Sequence, residues 1–253
     1  MTTTAIAAAM VNTAMRTAAI TKADLSPLTK GLSALFSLQN RETVLLCGQE
    51  EASMNPINYD QQMQAQIAAL PRGARPALLL HSCCGPCSSA VLERLAPHFD
   101  ITVFFYNPNI LPAEEYQHRL REQRRLLRHM VLPRPIALWE GPYEPDAFLA
   151  CARGLEQEPE GGRRCTPCFA LRLQRTAETA SAHGFDFFTT TLSVSPHKNA
   201  ALINEIGAGL QTDACRFLYA DFKKRGGYQR SLVLSRQYGL YRQRYCGCPF
   251  SLR

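Results

Sequence analysis

Short apolar runs bounded by turn residues alternate with longer stretches of helical periodicity along most of this 253-residue chain, and that alternation restricts its fold more than any other feature. Met63, Ile67 and Leu70 recur at helical spacing. Residues 77–81 form an apolar run of strand length that ends in a Cys/Gly/Pro/Ser turn, and Ala90, Val91, Leu92 and Leu95 return to helical spacing. Residues 101–106 predict a second strand running into Asn107-Pro108-Asn109, and 114–130 a strongly charged helix. The pattern then predicts strands over 136–139, 186–192 and 216–220, and helices over 145–153, 168–183, 198–210 and 229–238. Such alternation makes a parallel sheet with helices on both faces the expected α/β architecture. Ligands bind beyond the carboxyl ends of the strands in these sheets, and the first cysteine motif directly follows the first strand.

The length suits one principal α/β domain with a buried core. The segment 1–53, rich in Ala and Thr with little periodicity, reads as a weakly structured extension that changes character at Met54. A transit peptide or a start site assigned too early, with Met54 as the true beginning, would each explain it. The domain proper is then 54–253. No run approaches the ~20 apolar residues needed to cross a bilayer, and the expected location is the cytoplasm.

A formal charge of +7 allows an anionic partner without requiring one. Its placement is more informative. Between Arg216 and Arg244 lie Lys223, Lys224, Arg225, Arg230, Arg236 and Arg242, opposed only by Asp221 and interleaved with aromatic residues from Phe217 to Tyr245. Two readings stand side by side: a phosphate-tracking surface with stacking groups, centred on Lys223, Lys224, Arg225 and Arg230, or a solvated helix face whose aromatics turn inward.

Ten cysteines without a secretory leader point to reduced thiolates, favouring metal binding over disulfides. They cluster as Cys83-Cys84-Gly85-Pro86-Cys87, Cys151, Cys165-Thr166-Pro167-Cys168 and Cys246-Gly247-Cys248, with Cys47 and Cys215 apart. Thiolate is soft and charged, so four of them satisfy either a cubane cluster or a tetrahedral zinc. The adjacent pair Cys83 and Cys84 is expected to project to different sides of the chain, which suits two corners of a cluster better than one small ion. Pairing it with Cys165 and Cys168 completes four thiolates and leaves Cys87, Cys246 and Cys248 for a second metal with an open position. Cys151 lies in a helical pattern and reads, with Cys47 and Cys215, as a small buried hydrophobe.

Five ordered motifs carry a resemblance. They are the segment from Leu78 through His81-Ser82-Cys83-Cys84-Gly85-Pro86-Cys87; Tyr106-Asn107-Pro108-Asn109-Ile110 with Glu115, Tyr116 and Arg119; Arg164-Cys165-Thr166-Pro167-Cys168 with Arg172; Ser193-Val194-Ser195-Pro196-His197-Lys198-Asn199; and Tyr245-Cys246-Gly247-Cys248. Together they closely resemble the cobalamin-independent epoxyqueuosine reductase family known as QueH, from about residue 54 to residue 251. The resemblance implies a Rossmann-like core of the nucleotide-hydrolase type and the last step of queuosine synthesis, reduction of epoxyqueuosine at the tRNA wobble position. It further implies a 4Fe-4S cluster on Cys83, Cys84, Cys165 and Cys168, and a neighbouring mononuclear iron on Cys246, Cys248 and a residue just after the doublet. That residue reads as Cys87 here, where some relatives use an aspartate. The partners implied are tRNA carrying epoxyqueuosine and an external electron donor.

Deoxygenating an epoxide also needs a proton donor. His81, Tyr106, His197 and Lys198, at strand ends near the cysteine loops, are the candidates, beside structural roles for each. Arg164 and Arg172 would neutralise thiolate charge, grip phosphate or simply face solvent. Two rivals remain at this stage: a zinc-stabilised RNA-binding module without catalysis, and a thiol-disulfide oxidoreductase using Cys165 and Cys168.

Overall fold

A computed structural model describes residues 57–252, so Cys47 and the expectations for 1–53 and Met54 lie outside the described residues. The elements run α1 (Tyr59–Ala68), β1 (Ala77–His81), α2 (Gly85–Leu95), β2 (Asp100–Phe105), α3 (Ala113–His129), β3 (Ala137–Glu140), α4 (Pro145–Ala152), α5 (Cys165–Ala182), β4 (Phe187–Thr190), α6 (Ala200–Gly209), β5 (Arg216–Phe217) and α7 (Gly227–Gln237). The five strands form one parallel sheet in the order β3-β2-β1-β4-β5. The chain winds outward from β1 through β2 and β3, then returns to the other side of β1 with β4. The switch point of this doubly wound sheet therefore lies between the carboxyl ends of β1 and β4.

Both faces of the sheet are covered, as the near-continuous apolar character of the strands requires. Leu78, Leu80, Val103 and Phe187 point into one core with Val91, Leu92 and Leu95 of α2. Their strand neighbours Ala77, Leu79, Phe104 and Phe188 point into the other, with Phe169 and Leu173 of α5 and Ile203 of α6. Each fully buried Leu, Val or Phe contributes about 1.5–3 kcal/mol relative to exposure. The spacing of Cys168, Phe169, Arg172, Leu173 and Thr176 on α5, all buried, shows why one helix face carries both core and site residues.

Two strands are shorter than the sequence pattern predicts. β4 ends at Thr190 because that side chain accepts a hydrogen bond from the Leu192 N–H at 3.1 Å and starts a 3-10 turn over Thr191–Val194. β5 ends at Phe217 because side chains take over the ladder's role: Gln66 Oε1 accepts from Tyr219 N and Asn204 Oδ1 from Ala220 N, each at 2.9 Å.

Candidate metal-thiolate site

The turn after β1 places three thiols together. Gly85 and Pro86 open α2, with Pro86 supplying helical φ in the first turn where no amide donor is needed. Cys84 is then the extended N-cap residue and Cys87 lies one turn in. The Sγ atoms of Cys83, Cys84 and Cys87 all lie within 4.8 Å of one another, and those of Cys83 and Cys84 are 3.8 Å apart. The doublet's sulfurs therefore converge instead of projecting to different sides. Thr191, at the end of β4, crosses the switch point to fix the turn: its Oγ1 accepts from Cys83 N at 3.2 Å and donates to Cys83 Sγ at 3.4 Å.

Cys165 and Cys168 occupy the first turn of α5, where Gly161 N donates to Cys165 Sγ at 3.2 Å. Cys246 and Cys248 arrive on a strap near the chain's end that the β2–α3 connection holds. Leu111 N donates to Gly247 O at 3.0 Å, and Tyr245 donates through its hydroxyl to Leu111 O at 2.8 Å. Arg119, on α3 and 1% exposed, donates to Cys246 O at 3.0 Å and to Tyr245 O at 3.2 Å. Gly247 has φ +106, and a Cβ there would meet Ile110 Cγ1 at 2.7 Å, so only glycine fits between the two strap cysteines.

Two adjoining cavities result. The larger, about 240 Å³, is lined by Cys83, Cys87 and Cys246; Cys165, Cys168, Cys246 and Cys248 border a smaller, narrower slot of about 20 Å³. Cys246, Arg172, His197 and Lys198 line both. Seven cysteines from three separate stretches thus meet at one edge of the sheet. Cys151 packs beside Cys168 and Cys248 and donates to Phe148 O at 3.1 Å, whereas Cys215 lies in the core beneath α5 and α6.

The electrostatics suit thiolates. Hydrogen bonding from Cys84 and Cys87 holds the Cys83 thiol well below its ordinary range, while the same contacts push Cys84 up to about 12 and Cys87 upward too. A hydrogen bond from Cys248 brings Cys246 down to about 5 and raises Cys248. Burial opposes the charge on Lys198, yet Cys83, Cys246 and Cys87 outweigh it and keep the ammonium protonated. Arg172, 3% exposed, donates to Cys168 O at 3.1 Å and makes no ion pair among the described residues. It therefore reaches the cavity walls without a carboxylate in direct contact, Glu160 being the one acid that lines the same cavities. An all-sulfur donor set with adjacent cations fits iron-sulfur or zinc chemistry and excludes a hard-cation site for magnesium or calcium.

The four candidate proton donors separate into two pairs. His197 and Lys198 line both cavities. His81 is fully buried beneath the Cys83 turn, bonded to Thr190 Oγ1 at 2.7 Å and to the Tyr106 carbonyl at 3.0 Å. Because that carbonyl only accepts, Nε2 carries the proton and Nδ1 accepts from Thr190. Burial, with Arg172 nearby, lowers its pKa to about 4, so the ring stays neutral and ties β1, β2 and β4 together. The Tyr106 hydroxyl donates to Glu144 at 3.0 Å, outside both cavity linings. Arg164 is spent on the carbonyls of Leu155 and Glu156 at 3.1 and 2.9 Å.

The basic segment is largely matched by acids, two of them distant in sequence. Lys223 pairs with Asp221 at 2.8 Å, Arg225 with Asp60 at 2.8 Å and Arg230 with Glu93 at 2.6 Å, while Lys224 has no ion pair among the described residues. Phe217 and Phe222 are buried, and Tyr228 and Tyr238 pack against the core. Sequence reasoning noted Thr191, Asn109, Gly247 and Arg119 only within motifs and gave none of them a role; the φ requirement at Cys-Gly-Cys was the one signal that could have flagged Gly247.

The fold and site define a doubly wound α/β protein whose Cys83, Cys84 and Cys87 could hold a metal ion at the switch point, where such sheets place their ligands. Comparison narrows the class: the model of the family "Epoxyqueuosine reductase QueH" matches residues 78–253, and the chain belongs to that family. It is 43% identical over 201 residues to the epoxyqueuosine reductase QueH of Staphylococcus epidermidis, covering 77% of this chain and 84% of the relative. It is 41% identical over 179 residues to that of Haemophilus influenzae, covering 70% and 71%. The Thermotoga maritima relative is 35% identical over 179 residues, covering 69% of this chain and 90% of its own length. Among the described residues, no helix is long and apolar enough to cross a membrane.

Proposed function

We propose that this chain reduces epoxyqueuosine to queuosine on tRNA, with a 4Fe-4S cluster on Cys83, Cys84, Cys165 and Cys168 and an iron on Cys246, Cys248 and Cys87. The observation that supports this reading is that six of those thiols line two cavities that share Cys246, Arg172 and Lys198, with Cys84 beside Cys83 and Cys87 in the turn after β1. Family membership supplies the substrate. The reaction takes the epoxide oxygen out as water: two carbon-oxygen bonds break, a carbon-carbon double bond forms, and two electrons and two protons are consumed. When bound, a cluster with an adjacent open-sited iron supplies electrons singly and a Lewis acid for the departing oxygen. An external donor, acting in the cytoplasm, replenishes the electrons.

The chain's own residues do the rest. Lys198 holds a proton at Nζ beside the cavity and is the group placed to protonate the leaving oxygen, with His197 at the more exposed rim. Arg172 offsets thiolate charge from within the helix that carries Cys168. Arg119, Asn109 and Gly247 keep the strap cysteines in place. His81 and Tyr106 act beneath the site, in the sheet.

The 3.8 Å separation of Cys83 and Cys84 favours a second reading, one tetrahedral ion on the first triad, since metal-sulfur bonds of ~2.3 Å put neighbouring tetrahedral sulfurs ~3.8 Å apart. Mass analysis of nucleosides from undermodified tRNA, incubated anaerobically with reconstituted protein and a reductant, tests the main reading. Loss of one oxygen atom from the modified base is the expected result. Unchanged nucleoside with fully iron-loaded protein would remove it.

A further inference from the structure

We infer that Arg242 and Arg244, at the mouth of the larger cavity, receive the phosphates of the substrate RNA, in place of the more obvious basic run at 223–230. This inference rests on the reading of the substrate as tRNA. The cavity holds about 240 Å³, so a single base and its side group enter while the ribose-phosphate backbone stays outside, as in enzymes that act on a base removed from its stack. The phosphates then lie against whatever forms the rim. Arg242 and Arg244 both line the cavity and are both exposed.

Their charges are free in the sense that matters for an anion. Neither arginine belongs to any ion pair among the described residues, and the one hydrogen bond of Arg242 goes to the neutral Ser235 hydroxyl at 3.3 Å. Three of the four cations in the rival run are already held by Asp221, Asp60 and Glu93. Binding phosphate there means first giving up an ion pair, which offsets the gain. Behind the rim, Arg172 and Lys198 add positive charge to the same cavity wall, and Glu160 is the one acid that lines it. Direction follows as well. Arg244 also lines a second groove with Glu156, Glu158 and Glu160, of which Glu158 is held by Arg163, so an RNA backbone is less favoured there than along Arg242.

The test compares two exposed double variants, Arg242→Gln with Arg244→Gln, and Lys224→Gln with Arg230→Gln, using the full chain loaded with iron and an anticodon stem-loop RNA. Binding is titrated across a series of salt concentrations. The first pair is expected to weaken binding by roughly tenfold and to flatten the slope of log K against log salt by about 1.4, two contacts at ~0.7 each for single-stranded RNA. The second pair is expected to leave the slope within about 0.3 of wild type. Equal slopes for wild type and the 242/244 variant, or flattening confined to the 224/230 variant, overturns the inference while leaving the substrate intact. Absence of RNA binding by the wild-type protein overturns the substrate reading, and the inference falls with it.

Discussion

Arg119→Met removes the guanidinium that holds the strap near the chain's end while keeping a flexible apolar stem of similar reach. The residue is 1% exposed; it donates to the carbonyls of Cys246 and Tyr245, and to Glu115 at 2.7 Å. Hydrogen bonds from a charged donor contribute about 1.5–3 kcal/mol each, and only the Cys246 carbonyl keeps a second donor, Asn109 Nδ2 at 3.4 Å. Glu115 is also left without its ion-pair partner in a setting only 15% exposed. Two such bonds sum to about 3–6 kcal/mol, and removing one partner of a buried pair costs about 3–5 kcal/mol, so the loss expected is about 3–5 kcal/mol. At about 2–4 °C per kcal/mol for a domain of this size, the melting temperature falls by roughly 6–20 °C. Thermal unfolding followed by circular dichroism on metal-free protein measures this, and iron per chain after reconstitution measures the strap. We expect both to fall, with Arg119→Lys intermediate because one ammonium cannot span two carbonyls and a carboxylate. A melting temperature within about 2 °C of wild type, together with full iron content, would refute the assignment of Arg119 as the strap's anchor.

Gly247→Ala is expected to cost about 1–3 kcal/mol from the left-handed backbone alone, and more from the approach to Ile110; iron retention at the strap cysteines, read by metal analysis, falls further than global stability. Cys215→Ser, a buried core substitution remote from the cavities, lowers stability by about 1–3 kcal/mol in urea titration and leaves iron content unchanged. Asp60→Asn loosens α1, because Asp60 is 4% exposed and pairs with both Arg94 and Arg225; the expected loss is about 1–3 kcal/mol in the same titration. No change on that substitution would show Arg225 to be free for another partner.

The alternation of apolar runs with helical periods was sufficient for the parallel sheet, since both kinds of signal are local. Where β4 and β5 stop was not legible, because the deciding groups are side chains that replace ladder bonds: Thr190 at the end of its own strand, Gln66 from a helix remote in sequence and Asn204 from the helix just before β5. The first cysteine motif was legible as a candidate metal site from its spacing, and its three thiols do lie together. Their mutual geometry was hidden, since the convergence of Cys83 and Cys84 depends on where α2 begins. The pairing of the basic run was hidden in a similar way. Its charge was visible, but Asp60 and Glu93, which hold Arg225 and Arg230, lie more than a hundred residues earlier in the sequence. His81 and Tyr106 were candidate proton donors from their place at strand ends, beside structural roles; their burial and hydrogen-bond partners, which no spacing reveals, favour the structural role.

Iron and acid-labile sulfide, measured on anaerobically purified protein and on Cys83→Ser and Cys246→Ser variants, test most directly whether thiols from distant loops hold one shared centre. Iron with sulfide in the wild type, broad absorption in the visible, and loss of iron from both variants are the predicted results. A colourless wild-type protein carrying zinc and no sulfide would contradict it.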